Sequence, residues 1–185
     1  MEIPSSSYRT PSQDKALSGR NRRLLHEWQR IEQELAAHPE IQWQVNRTNA
    51  EGLPTGYLID YHIRSFCGVD EKEQPVWADS FRMQIELPDS FPCVDGAPIY
   101  RFQTEDENGQ PIPHPWHPNI RYYGPFAGRV CLNTVDTYMD IIWAIKRVAS
   151  YLRYERYHAL SEPPYPEDLQ VAAWVIRKAE PKGWI

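Results

Sequence analysis

The sequence contains little cysteine and no long apolar segment. Its three cysteines, Cys67, Cys93 and Cys131, are scattered, which fits neither a disulfide framework nor a pair of Cys-x-x-Cys zinc knuckles. No stretch approaches the roughly 18 uninterrupted apolar residues of a membrane-spanning helix, and residues 1–19 lack the apolar core of a signal peptide. These absences predict a soluble cytoplasmic protein with at least one free thiol.

Positive charge and glycine are also scarce. The 20 basic residues are outnumbered by 25 acidic ones, and the formal net charge is -5. This balance argues against sequence-independent binding to nucleic acid or to anionic membranes, so proteins or small molecules are the expected partners. The sequence has only 9 glycines but 17 prolines, and most of the prolines lie beyond residue 87. This composition favours long ordered loops over tight turns.

The apolar content is sufficient for one folded domain. Hydrophobic residues make up 41% of the 185 residues, and a chain of this length buries roughly 70% of its unfolded surface, so we expect one principal core. Residues 1–19 are polar and are predicted to form a flexible N-terminal arm. Residues 20–185 are predicted to form a single domain.

Hydrophobic periodicity predicts a helix followed by an antiparallel meander. Leu24, Trp28, Ile31 and Leu35 form one helical stripe, which predicts a first helix over residues 21–37. Alternating apolar and polar residues predict strands at 41–45, 57–63 and 81–87, and residues 99–103 are a fourth candidate. Residues 68–74 read as a hairpin loop between the second and third strands.

The second half of the chain predicts a long loop and two further helices. Residues 104–130 lack regular periodicity, and a loop near this length usually has a function. A stripe from Ile141 to Leu152 predicts a second helix, with Thr137 or Asp136 as its cap. A third helix is predicted after Pro166, with Glu167 and Asp168 in its first turn. The fold class is therefore α+β with a sheet covered on one side.

Cys131, at the end of the long loop, is the candidate nucleophile. The residue types alone leave three alternatives open. A buried structural cysteine is the commonest fate of a thiol. A zinc site could use Cys131 with His114 and His117, but it lacks a convincing fourth ligand. A Cys–His hydrolase could use His117, His114 or His158 as the base, but no local protease signature accompanies Cys131.

Four segments around Cys131 carry a resemblance to a known family. They are Phe81-Arg82-Met83-Gln84-Ile85-Glu86-Leu87-Pro88-Asp89-Ser90-Phe91-Pro92, Ala97-Pro98-Ile99-Tyr100-Arg101-Phe102-Gln103-Thr104, His117-Pro118-Asn119-Ile120 and Gly128-Arg129-Val130-Cys131-Leu132. In this order they resemble the core of ubiquitin-conjugating enzymes, and the resemblance extends from about residue 21 to about residue 179. The segment Pro163-Pro164-Tyr165-Pro166-Glu167-Asp168-Leu169 resembles the acidic proline-rich turn beside the active cysteine of that family.

The resemblance implies a ubiquitin-conjugating fold and assigns roles to several residues. Cys131 would accept the C-terminal acyl group of a ubiquitin-like donor as a thioester and pass it to an acceptor amine. Asn119 would be the amide donor at the oxyanion, and His117 and Pro118 would be structural. Asp168 would be the acidic gate that positions and deprotonates the incoming lysine, with Glu167 as the alternative.

The resemblance also implies partners. The family docks its activating enzyme on the first helix, where Arg22 and Arg23 are the candidate contacts. A ubiquitin-like donor and an acceptor protein complete the set, and a nucleotidyltransferase is among the candidate acceptors. No cofactor and no metal are implied. The main rival within the fold is a non-catalytic ubiquitin-like-binding module, which normally lacks the cysteine.

The chain departs from the family pattern at several positions. Residues 122–126 lengthen the spacing between Asn119 and Cys131, Cys93 replaces a loop aromatic, and residues 137–140 replace the eukaryotic Trp and Ser-Pro-Ala segment. Because Ile185 follows soon after the predicted third helix, we expect the fourth helix that is usual in this family to be missing. These departures are similar to those of bacterial members of the family, which occur in antiphage operons, and they argue against recognition by an ordinary RING ligase.

Overall fold

The computed structural model describes residues 17–93, 95–132 and 140–185. In chain order the elements are α1 Gly19–Leu35, β1 Ile41–Thr48, β2 Pro54–Tyr61, β3 Ser65–Val69, β4 Pro75–Ala78, β5 Phe81–Glu86, β6 Ile99–Phe102, α2 Ile141–Leu152 and α3 Leu169–Trp174. A π-helical segment, Val175–Ala179, continues α3. The predicted α+β architecture, with a first helix, a four-stranded sheet and two later helices, is confirmed.

The main sheet is antiparallel and has the order β1-β2-β5-β6. Ile59 in β2 lies opposite Trp43 in β1 on one side and Met83 in β5 on the other. The alternation in β5 places Phe81, Met83 and Ile85 in the core, as its sequence pattern predicts. This face of the sheet packs on the apolar faces of α1 and α2.

Both long helices begin at a polar side chain that accepts a backbone hydrogen bond. Ser18 Oγ accepts from the Asn21 N–H at 3.1 Å, so α1 begins two residues earlier than predicted and includes the end of the predicted arm. Asp140 caps α2 by accepting from the Trp143 N–H at 3.0 Å. Thr137 and Asp136, predicted as the cap, lie outside the described residues, and Asp140 occupies the capping position instead.

A second hairpin replaces part of the loop predicted at residues 68–74. Strands β3 and β4 pair with each other in a separate two-stranded sheet, so residues 68 and 69 lie in a strand and not in a loop. Asp70 Oδ1 accepts from the N–H groups of Lys72 and Gln74, both at 2.8 Å, and closes the turn. The short, Gly-containing strand offered too few alternating positions for recognition from sequence.

Beneath this hairpin lies a second hydrophobic cluster that the sequence did not predict. Its centre is Phe66, which packs on Tyr154 and Trp174 with ring centroids 5.0 and 5.5 Å apart. The cluster also buries residues of α3 and its π-helical continuation. The chain thus has two apolar clusters where one principal core was expected. None of the helices described in the structure has the length and apolar character needed to cross a membrane.

Candidate active site

Asn119 and Cys131 are adjacent although twelve positions separate them in the sequence. The Cys131 N–H donates to the Asn119 carbonyl at 2.8 Å, and Ile120 forms a β-bridge with Val130. Further out, the Arg121 N–H donates to the Arg129 carbonyl at 2.9 Å. The inserted residues 122–126 therefore form the tip of an irregular hairpin. They lengthen the sequence spacing without separating Asn119 from Cys131.

Gly128 allows this hairpin to lie against the main sheet. The Phe102 N–H donates to the Gly128 carbonyl at 2.8 Å, and Gly128 has a φ of +84°. A Cβ atom here would lie 2.1 Å from the Phe102 carbonyl oxygen, which no side chain could tolerate. The glycine of the Gly-x-Val-Cys-Leu motif thus fixes the segment that leads to Cys131.

His117 stabilises the start of the loop as a neutral, buried ring. Its Nδ1 accepts from the Asn119 N–H at 3.1 Å, so Nε2 carries the proton and donates to the Arg156 carbonyl at 3.1 Å. The ring stacks on Tyr151 with centroids 4.8 Å apart. Burial lowers the pKa of His117 to about 3, and the hydrogen bond to the Arg156 carbonyl acts in the opposite direction. With both nitrogens engaged, the ring has no lone pair for a metal or for a proton from Cys131.

The Asn119 side chain is buried, yet its NH₂ group has no hydrogen-bond acceptor within the described part of the chain. Its Oδ1 accepts from the His158 N–H at 3.0 Å. Because a backbone N–H can only donate, this contact fixes the amide orientation and leaves Nδ2 as the unsatisfied end. A buried donor without an acceptor costs folding free energy of about 1–3 kcal/mol, and this donor is available to an incoming acceptor atom.

Cys131 is half-buried and forms no disulfide. Its carbonyl accepts from the Tyr151 hydroxyl at 3.2 Å, which joins the cysteine to α2. An open cavity of about 350 Å³ is lined by Asn119 and Tyr151, which both contact the backbone of Cys131, and by further residues of α2 and the segment that follows. The sequence analysis missed this contribution of α2. The available signal was the spacing of Arg147 and Tyr151, which are four positions apart and so lie on the same face of the helix.

Asp168 lies at the N-terminus of α3, where its carboxylate accepts hydrogen bonds from backbone N–H groups. Oδ1 accepts from the Gln170 and Val171 N–H groups at 3.0 and 3.2 Å, and Oδ2 accepts from the Tyr122 N–H at 2.9 Å. The side chain is buried, and the Asp168 N–H donates to the Pro118 carbonyl at 3.0 Å. Asp168 is thus the N-cap of α3, one position before the predicted first turn, and it connects that helix to the loop.

Glu167, the alternative gate, forms ion pairs within the hairpin. Its Oε1 accepts from Arg129 Nη2 at 2.7 Å and from Arg121 Nε at 3.3 Å. Both acidic residues of the proline-rich turn therefore hold the loop that carries Asn119 and Cys131.

The remaining predicted residues lie away from Cys131 or are engaged elsewhere. His114 stacks on Tyr122 at 4.3 Å between centroids, and its Nε2 lies 3.1 Å from the Tyr122 carbonyl oxygen. On α1, Arg22 is exposed, while Arg23 Nε lies 2.7 Å from Oε1 of the buried Glu27. Arg22 is thus more accessible to a partner than Arg23.

A comparison with protein-family profiles and one with curated proteins find no match. Solved structures do match. Pex4p, a ubiquitin conjugating enzyme of H. polymorpha solved in complex with the soluble domain of Pex22p, is 13% identical. That alignment covers 90% of this chain and 92% of that chain, with a TM-score of 0.52. The E2 domain of a Toxoplasma gondii ubiquitin conjugating enzyme is 18% identical, with 86% and 88% covered and a TM-score of 0.49.

The likeness to Pex4p extends over nearly the whole of both chains. It agrees with the element order of this chain, in which a first helix precedes a four-stranded antiparallel sheet and two helices follow the long loop. The chain therefore has the fold of ubiquitin-conjugating enzymes.

Proposed function

We propose that the chain is a ubiquitin-like protein conjugating enzyme whose nucleophile is Cys131. The observation that carries the proposal is the buried NH₂ group of Asn119, which has no acceptor among the residues that the structure describes and belongs to a residue hydrogen-bonded to the backbone of Cys131. Acyl transfer needs a donor of this kind, because negative charge develops on the carbonyl oxygen of the tetrahedral intermediate.

The proposed reaction has two steps. In loading, the Cys131 thiolate attacks the thioester that joins the donor to its activating enzyme. A new C–S bond forms and the old one breaks, which releases the thiolate of the activating enzyme. In transfer, an amine of the acceptor attacks the Cys131 thioester. The C–N bond forms, the bond to Cys131 breaks, and the amine loses a proton to a base.

The acidic gate predicted at Asp168 stays a prediction, since three backbone N–H groups occupy its carboxylate in this conformation. Docking of the activating enzyme at Arg22 and Arg23, and a setting within a bacterial antiphage operon, also stay predictions from the resemblance. A neighbouring gene for an adenylating enzyme or a small β-grasp protein would support that setting.

The deciding experiment incubates the protein with an activating enzyme, ATP and a ubiquitin-like donor. We expect an adduct that reductant removes, and we expect Cys131→Ala to abolish it. Cys67→Ala and Cys93→Ala are the matched controls and should keep it, because it is Cys131 whose backbone N–H donates to Asn119, the residue with the buried amide donor. An adduct that survives in Cys131→Ala would end the proposal, and turnover of a fluorogenic peptide without activating enzyme would favour a hydrolase instead.

A further inference from the structure

The cavity beside Cys131 carries more positive charge than the rest of this acidic protein would suggest. Arg147 of α2 lines it together with Arg156 from the segment after that helix, and Glu155 is the carboxylate among its lining residues. We call this space the basic cavity. It adjoins Cys131 because Asn119 and Tyr151, which also line it, contact the backbone of the cysteine.

Two buried donors at the basic cavity lack an acceptor. One is the Asn119 NH₂ group, and the other is Nε of Arg147, which finds no hydrogen-bond acceptor among residues 17–93, 95–132 and 140–185. Over the same residues, neither Arg147 nor Arg156 forms an ion pair with a carboxylate. By contrast Arg153, between them in the sequence, pairs with Glu40 at 2.9 Å. Arg147 does stack on the Trp143 and Tyr151 rings, with its Cζ 5.5 and 5.6 Å from their centroids, but these contacts do not neutralise its charge. Guanidinium groups that pair with no described carboxylate, next to a buried donor, favour an anionic ligand.

Arg147, Arg156 and the Cys131 thiol all affect the pKa of one group, the Tyr151 hydroxyl. Burial raises the pKa of the Tyr151 hydroxyl. A hydrogen bond from Arg147 and the charges of Arg147 and Arg156 lower this pKa, and the Cys131 charge raises it. The hydroxyl in turn donates to the Cys131 carbonyl. The charges of the basic cavity therefore act on a hydroxyl that contacts the backbone of Cys131.

We propose that the basic cavity binds a carboxylate side chain of the acceptor protein, next to the amine that receives the acyl group. This inference rests on the proposed function and names the class of its acceptor. An acceptor lysine is itself cationic, so Arg147 and Arg156 repel it. A carboxylate beside the lysine offsets this repulsion and accepts the guanidinium N–H groups.

We assign the anion to the acceptor and not to the C-terminus of the donor. The terminal carboxylate of the donor is consumed when the thioester forms, so it carries no charge at Cys131 during transfer. A volume of about 350 Å³ is sufficient for a side chain, although it is small for a folded partner.

The first test measures the charge preference of the cavity without any donor. Cys131 is alkylated with iodoacetate, an anion, or with neutral iodoacetamide, and mass spectrometry reads each cysteine separately. The iodoacetate-to-iodoacetamide rate ratio at Cys131 is divided by the ratio at the exposed Cys93 of the same sample. We expect Arg147→Gln and Arg156→Gln each to lower this quotient by about two- to fivefold. Arg153→Gln should leave the quotient unchanged, because the Arg153 guanidinium pairs with Glu40.

The exposed Arg156 keeps this test decisive if Arg147→Gln fails to fold. A quotient that is unchanged in Arg156→Gln, or that falls equally in Arg153→Gln, would overturn the proposal. A general loss of thiol reactivity cancels in the ratio, because it affects both reagents alike.

The second test uses the preformed Cys131 thioester and two peptides that differ only in a Glu or a Gln beside the acceptor lysine. We expect faster aminolysis by the Glu peptide, and we expect Arg156→Gln to remove that preference while Arg153→Gln retains it. Equal rates for the two peptides with the wild type would overturn the proposal. Failure to form the thioester would contradict the proposed function, whereas the alkylation quotient is measured independently of loading.

Discussion

At the scale of single residues, two buried polar side chains of the His-Pro-Asn segment have opposite hydrogen-bonding states. His117 uses both ring nitrogens in contacts with the backbone, so burial costs it no unsatisfied group. Asn119 uses its oxygen but leaves its NH₂ group without an acceptor in the described residues. This difference predicts that the histidine contributes to stability and the asparagine to transfer.

We expect Asn119→Ala to slow transfer to an amine more than it slows loading of Cys131. Loss of an amide donor at an oxyanion typically reduces the rate by about two to three powers of ten. Single-turnover assays of the two steps provide the measurement. Asn119→Asp retains an oxygen for the His158 N–H but removes the NH₂ group, so its transfer defect should match that of Asn119→Ala. Equal damage to both steps, with a lowered melting temperature, would assign Asn119 to loop structure instead.

We expect His117 to make the fold sensitive to acid. Its pKa is about 3 in the folded protein against an ordinary value of 6.5, so below pH 6.5 the unfolded chain binds a proton that the folded chain excludes. The free energy of unfolding should therefore fall as the pH drops from about 6.5, by up to about 1.4 kcal/mol per pH unit from this residue.

Denaturant titrations of wild type and His117→Gln between pH 7 and pH 5 provide the measurement. The stability difference between the two proteins should shrink as the pH falls, because Gln has no such protonation. His62→Gln, at an exposed position, is the control and should retain the wild-type pH dependence. Parallel curves for wild type and His117→Gln would contradict the assignment.

At the scale of elements, the N-terminus of α3 contains the residues predicted to form the acidic gate, and both of them also make structural contacts. The acidic, proline-rich turn was predicted to supply a gate beside Cys131. In the structure Glu167 pairs with arginines of the hairpin, and Asp168 joins α3 to Tyr122, a residue 46 positions away in the sequence. The turn thus holds the loop and the helix in place relative to each other.

We expect Asp168→Ala to lower the free energy of unfolding by about 2–3 kcal/mol, because it removes a helix cap and leaves the Tyr122 N–H without an acceptor. Denaturant titration measures this change. Glu162→Ala, at an exposed position of the same segment, should change stability by no more than about 0.5 kcal/mol.

The kinetics of the same variant separate a positioning role from a gate. If Asp168 only positions the loop, the aminolysis defect of Asp168→Ala should be the same from about pH 7 to pH 10. A gate that helps to deprotonate lysine, whose free pKa is near 10.4, matters less as the pH rises. A defect that shrinks with pH would therefore restore the gate prediction.

At the scale of the whole molecule, the second hydrophobic cluster and its hairpin contact the long loop that leads to Cys131. The Trp116 N–H donates to the Phe66 carbonyl at 2.8 Å, and the Tyr122 hydroxyl donates to the Cys67 carbonyl at 2.7 Å. On the other side, Trp174 Nε1–H donates to the Glu73 carbonyl at 3.0 Å. The β3–β4 hairpin therefore joins the loop that leads to Cys131 with α3.

We expect Phe66→Ala to destabilise the fold by about 3–5 kcal/mol, because Phe66 is 1% exposed and is the centre of the second cluster. Thermal or denaturant unfolding provides the measurement. Val76→Ala on β4 of the same hairpin is the control, since Val76 is 43% exposed and should tolerate the change. A loss below about 1 kcal/mol for Phe66→Ala would mean that the hairpin does not support the loop.

The sequence by itself determined the elements whose signal is local. The periodicity of residues 21–37 predicts α1 to within two residues at each end, and alternation in 81–87 predicts β5 with its buried face. Both predictions follow from the fixed side-chain repeat of helices and strands, which is visible within any short stretch of the sequence. The resemblance around Cys131 also predicts the fold from local signals, since each of its motifs is a short continuous run of residues.

Only the tertiary structure decided how distant residues complete the candidate site. The His158 N–H, 39 positions from Asn119, fixes the amide orientation and so determines which end stays unsatisfied. The Tyr122 N–H likewise decides what the Asp168 carboxylate binds. Arg147 of α2 and Arg156 of the segment that follows line one cavity with Asn119, which comes from a loop distant in the sequence. Hydrogen bonds and charges act through space, so their partners cannot be read from a local pattern.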